Sequence, residues 1–284
     1  MRLDELNWMD VEKYLQGNDK LIFVLGACEQ HGYLSLLTDV KIPLALADAA
    51  SQQTGILVAP PVNYGISPYF LSYPGTLSLR LSTFIDLVED LVRSAYRHGF
   101  RRFLFLNGHG GNDPARQRLY ELSNQLPGIR QAWYSWWVSH SVELIAQKYE
   151  LKPSHANWLE AFNFTQVAEL PAGEKTPPPV RGLLNAEEAR AAYGDGSFGG
   201  YYQVNMSIMD ELFAACLADV LQVLAELAYP GADDPFHLVQ CAWAEVKPED
   251  FRVVPFKPVC LTANKDARFS LYLGDSLIQA GLTG

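Results

Sequence analysis

Glu29 and His31 stand two residues apart, and Asp39 follows ten residues after Glu29. Carboxylates and imidazoles are the side chains that hold a hydrolytic divalent metal ion. This segment is therefore half of such a site, and the rest of the chain must supply the other half. Two places offer it. Asn107-Gly108-His109-Gly110-Gly111-Asn112 sets one histidine among three glycines, which permit close approach of a substrate or ion. His155 and Glu160 lie five residues apart, and a helix from Ala156 onward would carry Glu160 one turn along toward a shared pocket. Glu29, His31, Asp39, His109 and Glu160 together make two imidazoles and three carboxylates. That set suits two divalent ions sharing one carboxylate, a pair that ionises water at neutral pH and polarises a carbonyl. His155 is left over as an acid-base group able to protonate a leaving nitrogen.

The remaining reactive side chains read as structural. His98 ends an amphipathic segment as a helix C-terminal cation, and His237 lies in the tail. His140 follows an aromatic strand and is a weaker pocket candidate. Cys28 adjoins Glu29, which raises its thiol pKa, so it reads as a small buried residue. Trp133, Trp136, Trp137 and Trp158 are mostly core, with one or two free to wall a pocket for a planar amide; Trp158 is the candidate taken forward.

These residues need elements to position them. Leu21–Leu25 (LIFVL) is a continuous apolar run that suits a buried strand, with Glu29 and His31 in the loop after it. Ile42–Gln53 has helical composition, and Gly55–Pro61 reads as a second strand stopped by prolines. In Thr83–His98 the apolar residues Phe84, Leu87, Val88, Leu91, Val92 and Ala95 recur at helical spacing, with Ser82 or Thr83 as N-cap and Gly99 as terminator. Arg101–Leu106 is a third strand, and His109 lies in its loop. Asp113-Pro114 opens a helix to about Gln125, with Asp as N-cap and Pro at the first helical position. Ile129–Val138 is β-rich, Ser139–Tyr149 helical, and Met206–Ala228 a long apolar helix. The alternation predicts an α/β fold, a three-layer α/β/α sandwich with a mostly parallel central sheet. Leu170–Pro179 and Tyr193–Gly200 read as loops. The pattern changes after Pro230-Gly231, which divides the chain into residues 1–231 and a C-terminal extension, 232–284. Val239–Val246 and Phe251–Leu261 look like short strands there, in a segment expected to pack on the core or on another subunit.

Composition narrows the function. The chain has 284 residues, 49% apolar and 19% charged, with a net charge of −10. An acidic chain without a basic run is a poor binder of nucleic acid or of an anionic membrane surface. No apolar stretch reaches the ~18 residues that cross a bilayer. The N-terminus is acidic and amphipathic rather than secretory, and the four cysteines form no paired pattern. A cytoplasmic protein is expected.

Four segments resemble the creatininase family of creatinine amidohydrolases and their relatives. They are GACEQHG (Gly26–Gly32) with Thr38-Asp39, YPGTLSL (Tyr73–Leu79), NGHGGN (Asn107–Asn112) and HANWLE (His155–Glu160). The resemblance implies an α/β/α fold, two divalent ions of zinc, manganese or iron, hydrolysis of non-peptide C–N bonds, and a homo-oligomer, often a hexamer. It implies that Glu29 and His109 bind one metal, His31 and Glu160 the other, and that Asp39 bridges. His155 would be the acid-base residue, and Gly75 and Gly111 backbone positions near the substrate. Three departures stand out. The run from Glu29 to Asp39 is one residue shorter than the family's and lacks its second histidine. Phe70 occupies a position where many relatives carry histidine, and Gly111 the place where creatininase itself has glutamate. The implied reaction is hydrolysis of a small amide, cyclic amide or formamide-like bond by hydroxide formed on the metals. The alternatives are a peptide-trimming hydrolase on the same site, or a non-catalytic ligand-binding or scaffold relative.

Overall fold

The computed structural model describes residues 1–180 and 182–227, together with three strands nearer the C-terminus. Helix α1 (Trp8–Leu15) is capped by Asn7, whose side chain accepts from the amides of Met9 and Asp10. Then come β1 (Lys20–Leu25), α2 (Thr38–Thr54), β2 (Leu57–Val58), α3 (Leu81–His98) and β3 (Arg102–Asn107). The chain continues through α4 (Ala115–Gln125), β4 (Arg130–Ser135) and α5 (His140–Lys148). A two-strand ribbon, β5 (Glu174–Lys175) with β6 (Gly200–Tyr201), brackets α6 (Ala186–Tyr193) and precedes α7 (Met206–Glu226).

The central sheet has the order β2-β1-β3-β4 and every pairing is parallel. Successive side chains of a strand face opposite ways. Ile22, Val24, Leu104 and Leu106 therefore pack with α2, α5 and α7, while Leu21, Phe23, Leu25, Phe103 and Phe105 pack with α3 and α4. Both faces are covered, which is why these strands read as unbroken apolar runs. The expected three layers are present.

Several boundaries differ from the sequence reading. Helix α2 begins at Thr38, four residues before Ile42. The second strand shrinks to Leu57–Val58. Helix α3 begins at Leu81 after Arg80, with no side-chain cap, so neither Ser82 nor Thr83 is its N-cap. Helix α4 starts only at Ala115; Asp113 and Pro114 belong to the turn before it. Strand β4 stops at Ser135, and Trp136–Val138 forms a 3-10 turn. The expected α-helix from Ala156 does not form; Glu160 closes a 3-10 turn, Trp158–Glu160, capped by the Asn157 side chain.

The chain divides into two compact units, Met1–Leu227 and Ala228–Gly284. In the second, β7 (Cys260–Ala263), β8 (Phe269–Leu273) and β9 (Ser276–Ala280) pair antiparallel. The expected strand Val239–Val246 and the tail histidine His237 lie outside the described residues, as do residues 251–259 of the expected strand Phe251–Leu261.

Strand order locates the site. From β1 the chain moves to β2 on one side, then returns across to β3 on the other. Helix α2 packs on one face and α3 on the opposite face. The loops leaving β1 and β3 therefore diverge, and a crevice opens between them at the carboxyl ends of the strands. The first turn of α2 is pressed into this crevice. A Cβ on Gly108 would lie 1.9 Å from the Asp39 carbonyl oxygen and 2.8 Å from Pro43 Cγ; one on Gly26 would lie 2.8 Å from the same oxygen. Pro43 has no N–H to give the Asp39 carbonyl four residues back, and the glycine loop packs there instead. Asp39 is thus held between the β1 and β3 loops despite the shortened link from Glu29. Gly108→Ala should destabilise the fold by ~2 kcal/mol or more, because the clash is with backbone and no rotamer relieves it. A urea melt of the variant checks this; an unchanged midpoint would show that α2 can back away.

Candidate metal centre

Six buried or nearly buried side chains meet at the crevice. Glu29 and His31 come from the loop after β1, Asp39 from the second residue of α2, and His109 from the loop after β3. His155 and Glu160 come from the segment between α5 and β5. Ligand-capable atoms lie within 4.8 Å of one another in three groups: Glu29–Asp39–His109, His31–Asp39–Glu160 and Glu29–His31–His155. Asp39 is common to the first two. Its Oδ1 is 3.0 Å from His31 Nε2, and its Oδ2 is 2.9 Å from His109 Nδ1. Glu160 Oε1 stands 3.7 Å from His31 Nε2, and Glu29 Oε1 stands 3.5 Å from His109 Nδ1.

Each of these imidazoles is tied down through its outer nitrogen. His109 Nε2 is 2.9 Å from the Ile66 carbonyl, with Ser67 Oγ at 3.2 Å. His31 Nδ1 is 3.2 Å from the Glu29 carbonyl. Donation to a carbonyl from one ring nitrogen leaves the other with a bare lone pair, the usual support behind a metal-binding histidine. The inward nitrogens, His31 Nε2 and His109 Nδ1, both face Asp39. Glu29 Oε2, His31 Nε2 and Asp39 Oδ2 are buried without a hydrogen bond of acceptable angle. Three such atoms buried in one cluster are costly unless something cationic lies among them.

Charge tells the same story. Burial opposes the imidazolium, yet Asp39 and Glu160 hold His31 up to about 10, and Glu29 and Asp39 hold His109 up to about 9. Asp39 is buried too, but His31 and His109 keep its carboxyl well below the ordinary range. Burial pushes Glu29 and Glu160 each up to about 7, against the pull of the imidazoles. Protons thus do for the ion-free cluster what divalent ions would do. Mixed nitrogen and oxygen donors of this kind suit Zn, Mn and Fe.

Glu160 is held by an unusual piece of backbone. Ala156 adopts φ +52°, and its N–H donates to Glu160 Oε2 at 2.6 Å. Asn157 accepts from Leu159 N and donates to the carbonyls of Lys152 and Gly199, which closes the turn. Gly111 lies against the His109 support: a Cβ there would meet the Ile66 oxygen at 2.0 Å and His109 Nε2 at 2.5 Å. A glutamate at this position would break the bond that orients His109, so Glu160 is the carboxylate available on the His31 side.

His155 is packed differently. Its ring stacks on Phe70 (centroids 4.8 Å apart, 14° between planes) and contacts Phe198 and His31. Nδ1 is 3.8 Å from Glu29 Oε1. Nε2 is 3.1 Å from the Gln30 carbonyl and 2.9 Å from the Gln30 side-chain nitrogen. That nitrogen therefore has an acceptor when it carries a proton and a donor when it does not. Burial and the neighbouring His31 push His155 well below the ordinary histidine range, so it is neutral.

Glu29, Asp39, His109, His155 and Glu160 line a cavity of about 560 Å³, walled by Ser67, Tyr69, Phe70, Trp137, Val138 and Phe198, with His31 buried behind them. Among the described residues that line it there is no lysine or arginine. Gly111 borders it. Two sequence candidates do not. Trp158 is wholly buried in the core, its indole N–H donating to the Lys152 carbonyl; Trp137 is the tryptophan at the cavity. Gly75 adopts φ +95° and packs against Leu36 rather than bordering the cavity. His140 is exposed at the start of α5, and Cys28 is half-buried with its thiol pushed up by burial and by Glu29. Phe198 and Gln30 were missed, the first inside a glycine-rich run read only as irregular, the second an unremarked amide between two ligand types.

Residues 4–224 match the family model for Creatininase, described as creatinine amidohydrolase. Over 115 residues the chain is 35% identical to a creatinine amidohydrolase of Pseudomonas putida, covering 38% of this chain and 44% of that protein. Over 95 residues it is 40% identical to a mycofactocin precursor peptide peptidase of Mycolicibacterium smegmatis, covering 31% and 38%. The chain thus spans less than half the length of these curated relatives in its matches. Among solved structures, one titled creatininase Mn superposes with a TM-score of 0.64 at 21% identity, covering 79% of this chain and 97% of the other. A mutant creatininase of Zn-Zn type superposes with the same score at 20% identity and the same coverage. With its family model matched from the first residues of the chain almost to the end of α7, this protein belongs to the creatininase family.

Proposed function

We propose that the chain is a metal-dependent amidohydrolase that cleaves a non-peptide C–N bond of a small molecule. The carrying observation is the shared position of Asp39, with one carboxylate oxygen toward each of two histidines whose outer nitrogens are already engaged. Glu29 and His109 would hold one divalent ion, His31 and Glu160 the other, with Asp39 bridging. Bound there, the two ions supply water that ionises at neutral pH and a Lewis acid for the substrate carbonyl.

The protein's own groups do the rest. His155 takes up at Nδ1, the nitrogen turned toward Glu29, the proton that the attacking water gives up, and delivers it to the leaving nitrogen. Phe70 and Phe198 hold its ring by contact. Trp137, Val138 and Leu159 give the cavity apolar walls. Its volume is that of a small-molecule pocket. Assembly as a homo-oligomer, with a hexamer the expected state, belongs to the same proposal. No described helix is long and apolar enough to cross a membrane.

The test is a purified, zinc- or manganese-loaded protein challenged with lactams, cyclic ureides, formamides and short peptides, with and without a chelator. Amine release from the non-peptide amides, abolished by chelation and restored by metal, is the expected result. Cleavage confined to peptides would replace the reading with peptide trimming, in keeping with the mycofactocin peptidase similarity. A protein that takes up no metal and cleaves nothing would be a scaffold.

A further inference from the structure

The strongest unexplained feature outside the metal cluster is Lys175. It lies on β5 with its side chain four-fifths buried, and its ammonium gathers three oxygens. Nζ donates to the carbonyls of Tyr193 and Ser197, each at 2.6 Å, and pairs with the Asp195 carboxylate. Asp195 also accepts from the Tyr202 hydroxyl at 2.6 Å and from the Ser197 amide at 3.1 Å. One lysine and one aspartate thus fix both ends and the middle of the loop between α6 and β6.

That loop touches His155 in two ways and reaches it in a third through Gln30. The Phe198 amide donates to the His155 carbonyl at 3.1 Å. The Phe198 ring lies 4.9 Å from the imidazole, and Tyr193 stacks behind it at 4.2 Å. The Gly196 carbonyl accepts from Gln30 Nε2 at 3.1 Å, and that same nitrogen is 2.9 Å from His155 Nε2. None of these contacts reaches a carboxylate of the metal cluster. The amide of Gln30 is further fixed by Gly32, whose N–H donates to Oε1 at 3.0 Å.

We propose that Lys175 and Asp195 are positioning residues for His155, acting through Gly196–Gln30 and through Phe198. A compact ammonium suits the task, since three oxygens converge on one point; a planar guanidinium does not. The catalytic consequence rests on the hydrolase reading above, but the positioning itself does not.

The experiment uses the full chain loaded with zinc, comparing wild type, Lys175→Met and the milder Asp195→Asn. Metal content is measured, and the ring resonances of the histidines are followed by NMR. Bound zinc should stay at the wild-type level, with the His31 and His109 resonances in place. The His155 resonances should shift or broaden, more in Lys175→Met than in Asp195→Asn. With a substrate from the amide panel, kcat should fall by ~10²-fold for Lys175→Met with KM little changed, the scale of a misplaced catalytic group. Unmoved His155 resonances in a folded variant would overturn the proposal. So would loss of zinc or a shift of all three histidines, which would mark a general structural role. If Lys175→Met fails to fold, Asp195→Asn decides by the same criteria. Moved resonances with unchanged kcat would leave the positioning standing and remove His155 from the reaction.

Discussion

Asp39→Ala is expected to leave the protein unable to hold either ion, with hydrolysis falling to background. Asp39 is the one carboxylate shared by the groups Glu29–Asp39–His109 and His31–Asp39–Glu160. Its removal leaves each half with one carboxylate and one imidazole, too few donors for a tightly held divalent ion. Glu29→Ala and Glu160→Ala each strip only one half, so both should lose metal less completely. The fold should survive. The part of Asp39 that packs on Gly108 is its backbone carbonyl, which alanine keeps. His31 and His109, deprived of their counter-charge, can shed protons rather than remain buried cations. Elemental analysis of purified protein, alongside circular dichroism, checks the prediction. A folded Asp39→Ala protein retaining two ions per chain would refute the shared-carboxylate arrangement.

The sheet and the metal-capable residues were readable in the chain for one reason: burial on both faces writes itself as apolar runs. Leu21–Leu25 and Phe103–Leu106 have no polar alternation, and the loops after them carry the metal-capable residues. Positions governed by long-range contact were not readable. Helix α2 starts early because Gly26 and Gly108, separated by more than eighty residues in sequence, make room for its first turn. Trp158 reads in the sequence as a pocket wall from among four tryptophans, any of which could supply a flat apolar surface. Its segment turns as a 3-10 helix with the indole in the core, and the tryptophan at the cavity is Trp137, from the separate 3-10 turn after β4. Phe198 lies in a run whose glycines signal only irregular backbone. Its contact with His155 is made across more than forty residues of chain, in a loop whose Asp195 pairs with Lys175, and no local pattern announces either.

Metal affinity should rise steeply with pH through neutrality. In the ion-free protein His31 and His109, at about 10 and about 9, both carry a proton at pH 7. Glu29 and Glu160, each at about 7, carry on the order of half a proton apiece. An ion needs all four groups bare, so loading the pair releases about two protons from the imidazoles and roughly one more from the carboxyls. The combined affinity for two ions should then climb by ~10²- to 10³-fold per pH unit near pH 7, flattening above pH 10. The ion-free fold runs the opposite way. Stability from the raised His31 and His109 is fully present below their unfolded value of about 6.5 and is lost as pH rises through about 9 to 10. Alkaline conditions thus weaken the empty cluster while they favour the filled one, and the stabilisation conferred by metal should widen with pH. Zinc titrations by calorimetry in two buffers of different ionisation enthalpy count the protons released. Release of none at pH 7 would mean that the imidazoles are already neutral, and that some partner other than a proton offsets the Asp39 charge in the ion-free protein.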